Sequence, residues 1–225
     1  MDDKRVTLVA DPYPPYQYKE GGIVKGIDYE LITSAIQAVG YDVQVRLLPW
    51  EECLRQLEAG SADGIFQITR TSEREKRYVF SDLLRTAETA IFSLRSRTIQ
   101  FSKAVDLREQ LESFTLGVLA GYSYAPLIDD LDPAMKVEVD RQEDLLLGLK
   151  EKCFDLAVMD SGVAVFLAGR LGIDGIERVE GFVVTRELHV AFRPACADLI
   201  VSFNEGLKRL KQQGGLKRIA ERYGL

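Results

Sequence analysis

The sequence predicts an α/β protein built in two lobes. Short apolar strands alternate with amphipathic helices up to about residue 85, and after a polar stretch the same alternation begins again. A faint internal repeat supports the division. A helix containing Leu57 runs to Asp63 and a strand, and a helix containing Leu149 runs to Asp155 and a strand, at the same spacing. With 225 residues, 46% of them hydrophobic, the chain can bury one large core or two small ones.

In order, Val6–Ala10 (VTLVA) reads as a strand running into Asp11-Pro12-Tyr13-Pro14-Pro15-Tyr16. Three prolines are expected to hold that loop extended, with Tyr13 and Tyr16 fixed at the strand's C-terminal end, either as contact groups or as loop cover. Gly21-Gly22 makes a turn. After Gly26-Ile27-Asp28 comes a helix with Leu31, Ile32, Ala35, Ile36 and Val39 on one face and Gly40 as its stop. Tyr41–Leu48 is a strand. Pro49 then turns the chain into a helix with Trp50 at its start and Gly60 at its end.

Asp63–Ile68 reads as a buried strand, and Ser72 and Glu75 as an S-x-x-E capping box opening a helix. Thr69, Thr71 and Arg74 surround that start. Free backbone N–H groups and a guanidinium with two parallel donors suit a carboxylate. An ordinary strand-turn-helix with a solvated arginine fits the stretch equally well. Thr86–Leu94 is a strand that leaves one lobe for the other, and Ser93–Lys103 a surface connection. Leu116–Leu119 is a strand, Gly121-Tyr122-Ser123 a strand-to-helix loop, Val137–Val139 a strand, and Glu143–Lys152 a helix. Asp155–Asp160 is a strand followed by a helix over Gly162–Leu171 that Gly172 ends. A strand at His189–Phe192 and amphipathic helices at Ala197–Gln212 and Leu216–Tyr223 close the chain. The strand ends deliver Gln67 and Thr69 in the first lobe and Asp160 in the second, the edge where α/β sheets bind ligands. Arg74 and Asp160 together would suit a zwitterion, although Asp160 alone also reads as a helix N-cap.

A net charge of −6 gives no footprint for nucleic acid or an anionic membrane. No apolar run reaches the roughly 18 residues of a membrane span. Met1-Asp2-Asp3-Lys4 leads straight into a strand without a signal-peptide pattern, so the chain is either cytoplasmic or has lost a targeting segment. Three scattered cysteines and one histidine supply neither metal spacing nor a Ser-His-Asp triad, and no metal or cofactor is expected. Cys53, Cys153 and Cys196 are expected as buried free thiols.

From near Val6 to Tyr223 the chain resembles the bacterial extracellular (periplasmic) solute-binding proteins of the polar amino acid class. Four motifs carry the resemblance: Tyr13-Pro14-Pro15-Tyr16; Gly26-Ile27-Asp28-Tyr29-Glu30-Leu31; Thr69 through Asp82 with T-x-T-x-E-R and F-S-D; and the closing L-K-Q-Q-G-G-L-K-R-I-A-E-R-Y. It implies a two-lobed periplasmic-binding-protein (Venus-flytrap) fold with two hinge strands and a ligand cleft between lobes. The first lobe would comprise residues 1–85 plus 188–225, and the second 86–187. It also implies binding of an amino acid or related carboxylate by lobe closure, outside the cytoplasm, with the signal segment absent from this chain. By position, Tyr13 and Trp50 match the aromatic pair around the ligand side chain. Arg74, with Thr69, matches the carboxylate clamp, and Asp160 the acceptor for the α-ammonium; Tyr122 and Ser123 fall in the loop that completes the carboxylate site.

The chain departs from the pattern in places. Ala10 stands where many relatives carry an acid, with Asp11 one step later, and Gln67 stands where Gly or Ser is frequent. Gln67 therefore intrudes into the pocket or bonds the ligand's distal end. Leu119 replaces a lysine or polar group, and Leu83-Leu84-Arg85 an aromatic pair. The implied partners are the small-molecule ligand and the membrane component of an ABC transporter. Sensor domains of membrane-bound kinases share the resemblance, in which case the partner is the chain's own kinase module. A dehydratase acting on cyclic acids rests on fold analogy alone, and no catalytic residue is singled out.

Overall fold

The computed structural model describes residues 5–225; Met1–Lys4, read above for a leader, lies outside them. The elements in chain order are β1 Arg5–Ala10, β2 Tyr18–Glu20, β3 Ile23–Lys25, α1 Ile27–Gln37, β4 Asp42–Leu47, α2 Trp50–Glu58, β5 Gly64–Thr69, α3 Ser72–Glu75, β6 Val79–Phe80 and β7 Arg85–Leu94. They continue with α4 Leu107–Leu111, β8 Leu116–Leu119, α5 Pro126–Asp129, β9 Lys136–Val139, α6 Gln142–Glu151, β10 Leu156–Asp160, α7 Ser161–Leu171, β11 Ile176–Phe192, α8 Ala197–Gln212 and α9 Gly215–Arg222. The chain forms two compact units. One ends at Thr86 and resumes from Arg186 to Leu225; the other is Ala87–Thr185.

In the first unit β1 lies between β4 and β5, parallel to both, and β11 pairs antiparallel with β5. These strands are apolar because both faces are covered: Leu8, Val9, Ile65 and Phe66 are fully buried. Helix α1 buries Leu31, Ile32, Ala35 and Ile36 and packs on α8 and α9. In the second unit β8 runs parallel to β10 and β9, while β10 pairs antiparallel with β7. Its core gathers Ile91, Leu116, Leu156, Val158 and Phe182.

The repeat read from sequence proves to be a shared strand-start staple. Asp63 donates its N–H to Thr7 O at 2.8 Å and accepts the Thr7 N–H on its carboxylate at 2.8 Å. Asp155 does the same to Thr115, with distances of 2.9 and 2.8 Å. Each aspartate also meets an arginine, Arg193 and Arg97 respectively. In each unit, then, one residue sets the register between two parallel strands.

Helix α1 has no side-chain cap. Instead Ile27 N–H donates to Pro15 O at 3.0 Å, and the Asp28 and Tyr29 N–H groups donate to Tyr16 O at 2.9 and 3.2 Å. The Tyr-Pro-Pro-Tyr loop thereby satisfies the orphan donors of the helix start. Arg85, 8% exposed, holds the fully buried Asp28 through Nε at 2.8 and 3.0 Å, and its guanidinium lies 3.4 Å over the Tyr16 ring. Removing either charge would strand the other in the interior, at a cost of about 3–5 kcal/mol.

Several expectations need correction. The Tyr13–Tyr16 loop is not extended: Tyr16 and Gln17 donate back to Tyr13 O at 2.9 and 3.1 Å, closing a tight turn. Strand β11 spans 17 residues rather than His189–Phe192. Its first part is mostly solvent-facing and carries Glu177, Arg178 and Glu180, and Gly181 at φ 115° breaks the alternation between the buried Val179 and Phe182. The sequence reading did not resolve the β2–β3 hairpin, only the Gly21-Gly22 turn within it. Helix α6 ends at Glu151, because Lys152 turns left-handed as its C-cap. All three cysteines are free, but only Cys53 is buried: Cys153, just past that cap, is exposed, and Cys196 is half-buried.

Gly26 is the tightest point of the α1 junction. Its φ of 130° and ψ of 166° suit only glycine, and an added Cβ would lie 2.3 Å from Tyr16 O. Gly26→Ala is expected to cost about 2–5 kcal/mol, summing backbone strain and overpacking. Urea unfolding followed by far-UV circular dichroism should show the midpoint falling accordingly; an unchanged midpoint would contradict this account of the junction.

Candidate functional site

Arg74 sits in α3, a single turn too short to build a useful dipole. The expected capping box is displaced by one residue. Thr71, in extended conformation, accepts the Arg74 N–H at 3.3 Å, and Glu75 pairs with Arg70 instead of reaching back to Ser72. The local geometry aims Arg74 rather than any helix end. Its Nη1 donates to Thr69 O at 2.9 Å and to Thr69 Oγ1 at 2.7 Å, and its guanidinium carbon lies 5.7 Å from the Trp50 ring centre. Trp50, first residue of α2, packs on the cluster of Val9, Cys53, Leu57, Ile65 and Ile68. Among the described residues no carboxylate lies within ion-pairing distance of the half-buried Arg74, and its Nε–Nη2 edge makes no bond to the protein. A cavity of about 450 Å³ opens beside it, lined by Leu54, Glu58, Thr69, Thr71, Glu73, Arg74, Arg77 and Tyr78.

Tyr13 stacks on Tyr16 at 6.1 Å between ring centres, 11° from parallel. Gln67 is held at φ 59°, the left-handed region, because β5 bulges there: His189 faces Ile68 while Val190 faces Phe66, leaving Gln67 as the extra residue. Gln67 and Thr69 are the two half-exposed residues of a strand otherwise buried. The side chain of Gln67 meets Gln17, which is fully buried and donates its Nε2 to Asp11 O at 3.0 Å and to Gln67 Oε1. No sequence signal marked Gln17, since one glutamine beside an aromatic loop has neither periodicity nor a motif of its own.

Asp11 is pushed up from the usual aspartate range by burial, an effect partly offset by a bond to its own backbone N–H. The neighbouring Cys53 thiol is pushed up to about 11, chiefly by burial and then by the Asp11 charge. In the second unit Asp160 is buried and caps α7, accepting the Val163 N–H at 3.0 Å, so the N-cap reading holds. The Ser123 hydroxyl donates to Asp129 Oδ2 at 2.8 Å, and Asp129 Oδ1 accepts the Tyr124 N–H at 3.0 Å. Tyr122, 40% exposed, tilts against Tyr124 at 5.3 Å. With Leu119, Lys136 and Glu138 these residues line a cavity of about 280 Å³. The first unit therefore gathers Arg74, Thr69 and Trp50 in direct contact, while Tyr13 and Gln67 belong to the adjoining Asp11–Gln17 loop and bulge. Among the described residues no cluster of metal-binding side chains occurs, and no helix is long and apolar enough to cross a membrane.

The raised Asp11 value has a measurable consequence. A buried carboxyl with a folded pKa above the ordinary 3.8 costs nothing when both states are protonated and destabilises the fold as pH rises through it. Asp11→Asn keeps an oxygen for the backbone N–H and removes that penalty. Its melting temperature should exceed that of the parent at pH 7, with the gap narrowing toward pH 4. A gap that widens toward pH 4 would reverse the assigned sign.

Comparison with known proteins follows the same outline. The Arginine-binding extracellular protein ArtP of Bacillus subtilis (strain 168) is 26% identical over 225 residues, covering 98% of this chain and 86% of the relative. A solved substrate-binding protein of an amino acid ABC transporter superposes with a TM-score of 0.71 at 19% identity, covering 97% and 98% of the two chains. A histidine kinase sensor domain with similarity to periplasmic binding proteins superposes with a TM-score of 0.76 at 22% identity, covering 98% and 96%. The fold is thus the periplasmic-binding-protein fold. Residues 6–225, from the first strand through the closing helix, match one family throughout, and the chain belongs to the bacterial extracellular solute-binding proteins, family 3.

Proposed function

We propose that this protein is an extracytoplasmic receptor that binds a free amino acid or related carboxylate and delivers it to the membrane component of an ABC transporter, without turnover. The observation that carries the reading is Arg74. Thr69 takes one guanidinium nitrogen, which orients the group, and the Nε–Nη2 edge keeps two parallel donors matched to a carboxylate. A half-buried cation without an acidic partner is a poor structural feature and a good ligand site, because its charge is left for an incoming anion. The family membership supports the same reading, as does the relative ArtP, whose name assigns it an amino acid. On the resemblance, Tyr13 and Trp50 receive the ligand's apolar part, Tyr122 and Ser123 assist at the carboxylate, and Asp160 accepts the ammonium.

A sensor role in a membrane-bound kinase is the second reading, prompted by the superposable sensor domain. A transmembrane segment and kinase module encoded with this domain would select it. Ligand binding through Arg74 is common to both readings.

A thermal-shift screen of the common amino acids and small carboxylates identifies the ligand, since binding to the folded state raises its stability. Arg74→Lys should then weaken binding by about 1.5–3 kcal/mol, because a point charge cannot replace a two-donor fork. Calorimetric affinity equal to that of the parent would remove Arg74 from the site.

Asp160→Asn separates an amino acid from a simple carboxylate. It keeps an oxygen for the Val163 N–H. Affinity for an amine-bearing ligand should fall about tenfold or more, while a carboxylate lacking the amine loses much less. Equal losses for the two ligands would leave Asp160 as a helix cap only.

A further inference from the structure

Gln67 occupies a backbone conformation that favours glycine, at φ 59°, and its side chain is fixed from behind. The fixing has a direction. Asp11 O is a carbonyl and can only accept, so the Gln17 amide must turn Nε2 toward it. Gln17 holds that orientation although its own Oε1 is left buried without a partner. The same Nε2 faces Gln67, so Gln67 must present Oε1 to it. The group that Gln67 has left is its Nε2, a donor without a partner among the described residues, on a residue that keeps part of its surface exposed.

Gln67 precedes Thr69 by two strand positions, and Thr69 orients Arg74. Two residues along the strand span about 6–7 Å, close to the separation of the α-carboxylate and the side-chain end in a four- or five-carbon amino acid such as asparagine, glutamine or glutamate. Three groups on this strand and the turn after it have a proton left to give: the Arg74 guanidinium, the Thr69 hydroxyl, whose oxygen accepts from Arg74, and the Gln67 amide. Asp11 is the nearby carboxyl, and it is bonded to its own backbone N–H.

Resting on the amino acid reading above, we infer that Gln67, positioned by Gln17, selects a ligand whose side chain ends in a hydrogen-bond acceptor. The preferred class is an amide or carboxylate side chain, as in glutamine, asparagine or glutamate, and not the guanidinium or ammonium of arginine or lysine. A cationic end group would place donor against donor at the Gln67 amide.

The test is calorimetric titration of the whole protein with glutamine, glutamate, arginine and lysine, repeated with Gln67→Glu and Gln67→Gly. The parent should bind glutamine or glutamate at least tenfold more tightly than arginine. Gln67→Glu still accepts from Gln17 but exposes a carboxylate oxygen, so it should reverse that order. Gln67→Gly suits the backbone conformation and should bring the ratio toward one while the protein stays folded. Arginine or lysine as the tightest parent ligand, or ratios unmoved in both variants, would overturn the inference while leaving the Arg74 reading intact. Failure of the parent to bind any amino acid would overturn both.

Discussion

The start of helix α1 is the constraint on which the first unit depends. Its free N–H groups are satisfied by the carbonyls of Pro15 and Tyr16, so the aromatic loop and the helix hold each other in place. Asp28 in the first turn draws Arg85 into the interior, and the guanidinium covers the Tyr16 ring. The C-terminus joins at the same place. Tyr223 OH accepts the Gly26 N–H at 2.9 Å and donates to Glu30, a setting in which burial and that carboxylate push the phenol well above its ordinary value. Motifs from residues 13, 26, 85 and 223 thus meet around one helix end. The loop that carries Tyr13 takes its position from this junction.

A second economy is the aspartate staple. Asp63 and Asp155 fix the register of parallel strands in their respective units by pairing with the opposite residue's N–H and C=O. Parallel strands lack a tight hairpin to set their offset, so a side chain doing so at the strand start determines which residues emerge at the far end. In β5 those residues are Gln67 and Thr69; in β10 the last is Asp160. The arginines meeting the two aspartates are partly solvent-exposed and add little by themselves.

The chemistry of the candidate site is mostly that of donors. A one-turn helix offers an anion little help, so in the proposed reading attraction rests on the guanidinium of Arg74 and on how Thr69 and Trp50 hold it. Positioning by neutral groups leaves the charge available, whereas a carboxylate partner would have neutralised it. The bulge at Gln67 adds an amide whose direction is set two shells back by a backbone carbonyl.

The sequence by itself determined the alternation and most element positions, and it singled out Arg74 as a candidate cation for an anionic ligand. Hydrophobic periodicity and glycine stops are local, and α8 and β8 lie where they were read, Ala197–Gln212 and Leu116–Leu119. The same local patterns could not show that Thr71 rather than Ser72 caps α3, since adjacent hydroxyl residues compete and the backbone angle decides. Nor could they reveal the length of β11, whose charged, half-exposed run has no clean period. Only the tertiary structure decided the Gln17–Gln67 contact, the burial of Asp28 with Arg85, and the bulge that turns Gln67 left-handed. Each of these joins residues 50 or more positions apart, or depends on a register shift between strands, and such relations exist only once the chain has closed on itself.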